Sequence, residues 1–449
     1  MAQELALWVH DSPIATLGHD PLNNRWSIAY HPEWVRAPEA FPLSPALPLA
    51  TPEGGHASGA IERFVENLLP EGRALEVAAL ANRVSKSNLF GLIHALGAET
   101  TGALRFWPAG AEPPTAASTT PREVTPDELE QRMRDRDAMP LALWDGKVRM
   151  SIAGVQDKLM VYLDRPLGEG GRMFLVEAPL ASTHILKPDP DRESTPHLVA
   201  NEHFCMSLAA RMGLQVAKVA MLRTPRPVLV VQRFDRRVSM TDAGPVVHRL
   251  HVIDACQAAD LPVSCKYERN FGSGELVRDI REGVSFQVLF KCVDQTMNKA
   301  AARMNLLRWA LFQFLIGNSD AHGKNVSFSV HRQGLEPAPW YDLISVTAYP
   351  GLDHEMAMAY GDAFSLDEVG AFQLADFATR CGIERRLLAR EAARLSKLAA
   401  KHAAEQALAP DYLGDERAFV ARLRDFVVAQ GSRLTAVARE AVSVRDEYL

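Results

Sequence analysis

AARMNLLRWALFQFLIGNSDAHGKN (301–325) holds two kinds of chemistry side by side. Residues 301–317 are apolar nearly all round at helical spacing, which places that helix inside a core. Gly317 then opens a polar turn, Gly317-Asn318-Ser319-Asp320-Ala321-His322-Gly323-Lys324-Asn325, with Asp320 and Asn325 five residues apart. Asp342, in Tyr341-Asp342-Leu343, lies seventeen residues beyond Asn325, after a strand-like VSFSV and a loop. Transfer of a phosphoryl group to a hydroxyl uses such a set. One Asp positions and deprotonates the acceptor, an Asn five residues on binds metal from the same loop, and a second Asp bridges metal and phosphates. Asp320, Asn325 and Asp342 have the order and spacing for those roles, with His322 and Lys324 placed between them to contact the γ-phosphate. The plain alternative is a polar turn whose Asn and Asp cap backbone donors.

Upstream the chain is rich in strands: VRMSI (148–152), KLMVYLD (158–164), MFLVEA (173–178), THILK (183–187), KVAMLR (218–223) and VLVVQRF (228–234). The turn Ser151-Ile152-Ala153-Gly154-Val155-Gln156-Asp157-Lys158 joins two of these runs. Small residues there let backbone N–H groups approach phosphates, and Lys158 adds a charge. It is no Walker A motif, lacking G-x-x-x-x-G-K-[ST], and a one-glycine hairpin is the plain alternative. Lys187 ends a strand run, the setting of a lysine that pairs α- and β-phosphates. Glu202 is a candidate to orient it; a solvated helix face is the alternative for that glutamate. A helix opened by Thr195-Pro196 runs to Gly213.

Further out, residues 4–31 alternate as two or three strands, with turns near Ser12-Pro13 and Asn23-Asn24. Residues 61–97 carry helical periodicity, and 102–108 reads as a strand. AGAEPPTAASTTPREVTP (109–126) is the best linker candidate; it ends in a capping-box pattern with Thr125 at N-cap, Pro126 at N1 and Glu128 at N3. The fold class expected is α+β: a small N-terminal α/β module, then two lobes like those of a protein kinase, the second mostly helical. The expected segments are 1–110 for the module, 111–147 for linker and helix, 148–255 for a mostly β, ATP-binding lobe and 256–449 for a helical catalytic lobe.

Composition bounds the rest. With 449 residues, 47% hydrophobic and 23% charged, the chain builds a large core, which excludes wholesale disorder and a disulfide-stapled miniprotein. A net charge of −6 gives no surplus of cations with which to coat nucleic acid. Five widely spaced cysteines without C-x-x-C fit a reducing cytoplasm rather than a disulfide framework or zinc cluster. The start, MAQELALWVHDSP, has no basic stretch followed by an apolar one, so no secretory leader is expected. No run of about 18 apolar residues suggests a membrane span.

SIAGVQDKL, STHILKP, NEHFCMSLAARMGL, LVVQRFDR, DACQAADLPVSCKYE, GNSDAHGKN and PWYDLIS, in that order, resemble the HipA family. FVENLLPEG and LGAETTGALRFWP resemble its N-terminal module, so the likeness covers nearly the whole chain. The resemblance implies a bacterial, ATP- and Mg2+-dependent serine/threonine protein kinase, the toxin of a toxin–antitoxin pair. It implies an aminoacyl-tRNA synthetase, glutamyl-tRNA synthetase in the best-known members, as substrate. It also implies a HipB-like helix-turn-helix antitoxin as partner, with operator DNA reached only through it. By the same resemblance Asp320 is the catalytic base, Asn325 and Asp342 the magnesium ligands, and Lys187 the ATP lysine. Ala153, Gly154, Val155, Gln156, Asp157 and Lys158 form the phosphate loop, and His322, Lys324, Asn325 and Tyr341 contact the nucleotide. Ser151 is the serine whose autophosphorylation switches members off. A phosphate there adds about −1.5 to −2 charges beside a loop meant for ATP phosphates and repels it. One departure stands out. Where familiar members carry a Glu-Asp-aromatic hinge against adenine, this chain reads His251-Val252-Ile253-Asp254-Ala255, leaving Ile253, Asp254 and Ala255 to bind through backbone. Two other functions fit parts of the pattern: a small-molecule kinase, and a catalytically idle corepressor of an antitoxin on DNA.

Overall fold

The computed structural model describes residues 3–113, 121–136, 139–141, 143–145, 147–148, 157–190, 192–242 and 244–449. The chain is α+β and divides into two compact units that do not follow chain order. Met1–Pro188, Leu222–Val263 and Phe328–Gly334 form the first; Asp189–Met221, Ser264–Ser327 and Leu335–Leu449 form the second.

In the first unit, β1 (Gln3–Val9), β2 (Ser12–Asp20) and β3 (Arg25–Tyr30) form an antiparallel meander, followed by α1 (Pro32–Arg36), α2 (Ser58–Leu68), α3 (Gly72–Ala81) and α4 (Leu89–Leu96). β4 (Arg105–Pro108) returns to pair with β1, giving the sheet order β3-β2-β1-β4. The first turn falls at His10-Asp11, one step before the expected Ser12-Pro13, and His10 takes the left-handed conformation with φ of 51°. Asn24, at the second turn, does so at φ of 45°.

Next come β5 (Arg122–Val124), α5 (Pro126–Arg134), β6 (Leu143–Trp144), β7 (Lys147–Val148), β8 (Leu159–Leu163), β9 (Met173–Leu175) and β10 (His184–Pro188). α6 (Leu198–Arg211) belongs to the second unit, and β11 (Val219–Arg223) leads back to β12 (Pro227–Gln232). The larger sheet has the order β11-β12-β10-β8-β9-β5. Its central strand β8 reads LMVYL with all five residues buried, as a strand covered on both faces must. Leu159, Val161, Leu186, Val228 and Val230 pack with Leu129 and Met133 of α5 into one apolar cluster.

Several local expectations change here. The stretch 109–126 is not all linker: Arg122–Val124 pairs with β9, a three-residue edge pairing too short to register as alternation. Thr125 does cap α5, accepting from the Glu128 N–H at 3.2 Å. The Glu128 carboxylate, however, turns to the Arg122 guanidinium instead of closing the box. A hairpin, β13 (Arg236–Thr241) with β14 (Gly244–Arg249), stands where no strand was expected. β15 (Val252–Asp254) and the short α7 (Ala255–Ala258) follow. α6 begins at Leu198, not at Thr195-Pro196; His197 takes φ of 58° at its N-cap and the Asp189 carboxylate accepts from the Val199 N–H. Glu202 is buried in α6, so the solvated-face reading fails.

The second unit is built on helices: α8 (Phe286–Val293), α9 (Lys299–Ile316), α10 (Ala371–Arg380), α11 (Arg385–Ala407) and α12 (Asp415–Ala441). Between α9 and α10 runs a hairpin of β16 (Ser327–His331) and β17 (Gly334–Pro337), within which the chain passes from unit to unit. α9 is buried through Trp309, Leu311, Phe312, Phe314, Leu315 and Ile316, as its all-round apolar sequence predicts. Among the described residues no helix is long and apolar enough to cross a membrane. All five cysteines are free thiols.

One buried histidine sets a pH response. His251 stacks on Phe41 at 4.6 Å, its Nε2 lies 2.9 Å from the Leu43 carbonyl, and burial pushes its imidazole down to about 4. In the unfolded chain a histidine titrates near 6.5. Between those values the unfolded state takes up a proton that the folded state refuses, so stability is lost as pH falls from 6.5 toward 4, by about 3 kcal/mol at most. Denaturant midpoints at pH 7 and pH 5 check this. The drop should shrink in His251→Gln, and an equal drop in both proteins would assign it to other groups.

Candidate active site

The polar turn after α9 is shaped by its first residue. Gly317 adopts φ of 62°, and the N–H groups of Gly317 and Asn318 bond back to the carbonyls of Phe314 and Gln313, closing the helix. A Cβ at 317 would stand 2.2 Å from Thr347 Oγ1 and 2.8 Å from the Phe426 ring, so any side chain there would have to displace both. The Gly317 carbonyl in turn accepts from the N–H groups of Val346 and Thr347. Asn318 continues the fastening: its Nδ2 donates to Gln313 Oε1 at 2.9 Å and its Oδ1 accepts from the Asp320 N–H at 3.2 Å.

Asp320 sits exposed on this braced turn. Its carbonyl accepts from the His322 N–H at 2.9 Å and from Asn325 Nδ2 at 3.1 Å. The five-residue spacing therefore acts as a closure, Asn325 tying its own turn to the residue that bears the carboxylate. His322, Lys324 and Asn325 are buried in the same turn. Tyr341 brings in the next segment: its hydroxyl donates to the Lys324 carbonyl at 2.5 Å and lies 2.7 Å from Ser327 Oγ. Asp342, next in the chain, is left-handed at φ of 58°, a conformation that Asp tolerates better than most side chains. Asp320, His322, Lys324, Asn325, Tyr341 and Asp342 all belong to the second unit.

Glu202, the candidate to orient Lys187, belongs to the second unit with α6, and the remaining sequence candidates lie in the first unit. Lys187 pairs with Leu229 across β10 and β12, and the β10–β8 register sets Leu186 opposite Leu159. Lys187 and Lys158 are each the next residue beyond that pair, and each is only 7% exposed. Asp157 is half-buried before Lys158. Ile253 and Ala255 are buried. Asp254 caps α7 in a capping box: its carboxylate accepts from the Gln257 N–H at 2.9 Å, and its own N–H donates to Gln257 Oε1 at 3.2 Å. Ser151, Ala153, Gly154, Val155 and Gln156 lie outside the described residues.

Sequence reasoning passed over Tyr267, whose hydroxyl donates to Asp320 Oδ1 at 2.7 Å. The only signal was a phenol in a polar CKYERN run 53 residues upstream.

The donor set fits magnesium and a nucleotide triphosphate. Asn325 spends its Nδ2 on the Asp320 carbonyl, which leaves its amide oxygen as the atom for a ligand. That oxygen and the Asp342 carboxylate are the hard donors Mg2+ prefers.

A family model described as the HipA-like C-terminal domain matches residues 150–406, and one described as the HipA N-terminal domain matches residues 5–107. A curated relative, the serine/threonine-protein kinase toxin HipA of Shewanella oneidensis, is 40% identical over 436 residues, 96% of each chain. Y4mE of Sinorhizobium fredii is 36% identical over 82% of this chain and 83% of its own. Among solved structures, the Shewanella oneidensis MR-1 toxin–antitoxin system of HipA, HipB and operator DNA contains a similar chain. The two superpose with a TM-score of 0.88 at 38% identity, over 98% of this chain and 100% of that one.

Proposed function

Because the chain belongs to the HipA family of serine/threonine-protein kinase toxins, we propose that it transfers the γ-phosphoryl group of ATP to a serine or threonine of an aminoacyl-tRNA synthetase, glutamyl-tRNA synthetase first among them, and so stalls translation. The observation that supports the chemistry best is the braced turn, which presents Asp320 while Asn325 and Tyr341 close it from behind.

Bound Mg-ATP supplies the transferable phosphoryl group and a metal that offsets its charge. The protein's part is positioning. Asp320 orients the acceptor hydroxyl and takes its proton. Asn325 and Asp342 hold the metal. Lys158, Lys187, His322 and Lys324 hold phosphates, together with the phosphate loop 153–158. Tyr341 and the backbone of Ile253, Asp254 and Ala255 complete the nucleotide contacts. Since the Asp254 N–H is engaged by Gln257, that residue's contribution falls to its carbonyl. The four segments set out from the sequence remain the proposed functional division, with 148–255 as the ATP-binding lobe.

The partner proposed is a HipB-like antitoxin, through which the protein reaches operator DNA; the solved complex of a similar chain supports this. The compartment proposed is the cytoplasm, where both synthetase and ATP are found. Autophosphorylation of Ser151 is the proposed off-switch. Phosphosite mapping after incubation with Mg-ATP and purified glutamyl-tRNA synthetase tests these assignments together. A synthetase phosphosite and phospho-Ser151 are expected, with Ser151→Ala staying active longer than wild type. If Ser151 never gains phosphate, the switch is wrong; if the synthetase never does, the substrate is.

A further inference from the structure

The segment Lys266–Tyr267–Glu268 has no part in the roles above, yet it is stitched to the turn that carries Asp320. The Lys266 carbonyl accepts from the Gly323 N–H at 2.9 Å. The Tyr267 ring stands edge-on to His322 at 5.1 Å, with the Lys266 Nζ 5.3 Å from its centroid. The Tyr267 hydroxyl donates to Asp320 Oδ1 at 2.7 Å. On its other side the segment is anchored to the chain beyond Asp342. The Glu268 N–H donates to the Ala357 carbonyl at 2.9 Å, and its buried carboxylate accepts from the Ala359 N–H at 2.8 Å and from the Arg281 guanidinium. Gly283 lies so close that a Cβ there would be 1.8 Å from the Tyr267 carbonyl. Tyr267 is thus held in place by contacts independent of its hydroxyl.

We propose that Tyr267 is a positioning residue for phosphoryl transfer: by donating to Oδ1 it fixes the rotamer of Asp320 so that Oδ2 is the oxygen that meets the acceptor hydroxyl. Without that bond an exposed carboxylate samples several rotamers, and each turnover must wait for the productive one. The inference rests on Asp320 being the base, as set out above.

Tyr267→Phe removes the hydroxyl and keeps the ring that packs on His322; Tyr267→Leu removes both. In a steady-state transfer assay, kcat should fall between about 10- and 100-fold in Tyr267→Phe, the range for a hydrogen bond to a charged group. KM for ATP should stay within about twofold. Tyr267→Leu should lose about as much kcat as Tyr267→Phe. If Tyr267→Phe matches wild type while Asp320→Ala is dead, the proposal is overturned and the kinase reading stands, the ring then acting only by packing. A rise in kcat in Tyr267→Phe overturns it too, making the phenol an obstacle. If Asp320→Ala is as active as wild type, the base assignment falls and this inference with it.

Discussion

Asp320→Ala should lower the rate of phosphoryl transfer by about 10³-fold, within the range for loss of a general base, while ATP affinity stays within about threefold. The split follows from where the groups sit. The turn is held by Gly317, Asn318 and Asn325 through backbone atoms and through Gln313 and Tyr341, and none of these bonds uses the Asp320 carboxylate. That carboxylate is exposed, its described bond being the one from Tyr267. Removing it therefore leaves the turn in place and deletes only the group proposed to meet the acceptor. Single-turnover transfer and nucleotide binding measured on the same preparation check this. A parallel loss of ATP binding would show that Asp320 holds the nucleotide rather than the acceptor.

Asp235→Ala should destabilise the first unit by about 3–5 kcal/mol, the cost of stranding buried charges. Asp235 accepts from Arg233 Nη2 and Arg236 Nη1, each at 2.7 Å, and from the Gly102 N–H at 2.8 Å. Arg236 also donates to the carbonyls of Thr100 and Gly102, and Glu99 takes Ser182 Oγ at 2.6 Å. Burial pushes the Asp235 carboxyl up, but Arg233 and Arg236 outweigh it and hold the group well below the usual carboxylate range. The network welds residues 99–102 of the N-terminal module to the strand ends at 182 and 233–236, in the unit that carries Lys158 and Lys187. Without Asp235, two buried guanidiniums lose their main counter-charge. Denaturant unfolding of Asp235→Ala beside wild type measures the effect. A shift below about 1 kcal/mol would mean that water replaces the carboxylate at little cost.

These two sites differ in how far the sequence could disclose them. The Asp320 turn was readable because its chemistry is local: one stretch of 25 residues contains the core helix, the glycine that ends it and the Asn that closes the turn. The all-round apolar pattern of 301–317 required burial, and α9 is buried. The bond from Tyr267 spans 53 residues and that from Asp235 to Gly102 spans 133; no period or spacing carries such information. The missed hairpin has another cause. In RRVSMT the apolar Val238 and Met240 share one face but stay exposed, and GPVVHR sets Val246 and Val247 on opposite faces with Val246 exposed, so neither strand pairs a regular alternation with a buried apolar face. At 122–124 the pairing was too short to stand out beside Pro- and Thr-rich neighbours. The helix starts at Leu198 rather than at Thr195-Pro196, with the Asp189 carboxylate accepting from the Val199 N–H of its first turn.

The most direct test of the central claim is a phosphosite comparison in a bacterial lysate. Wild-type protein and Asp320→Ala are each incubated with Mg-ATP and the lysate, and phosphopeptides are identified by mass spectrometry. The account predicts a serine or threonine phosphopeptide from an aminoacyl-tRNA synthetase with wild type that vanishes with Asp320→Ala. Identical phosphopeptides in both samples, with ATP binding by the wild type established, would contradict a protein kinase built on Asp320 and favour a corepressor without catalysis.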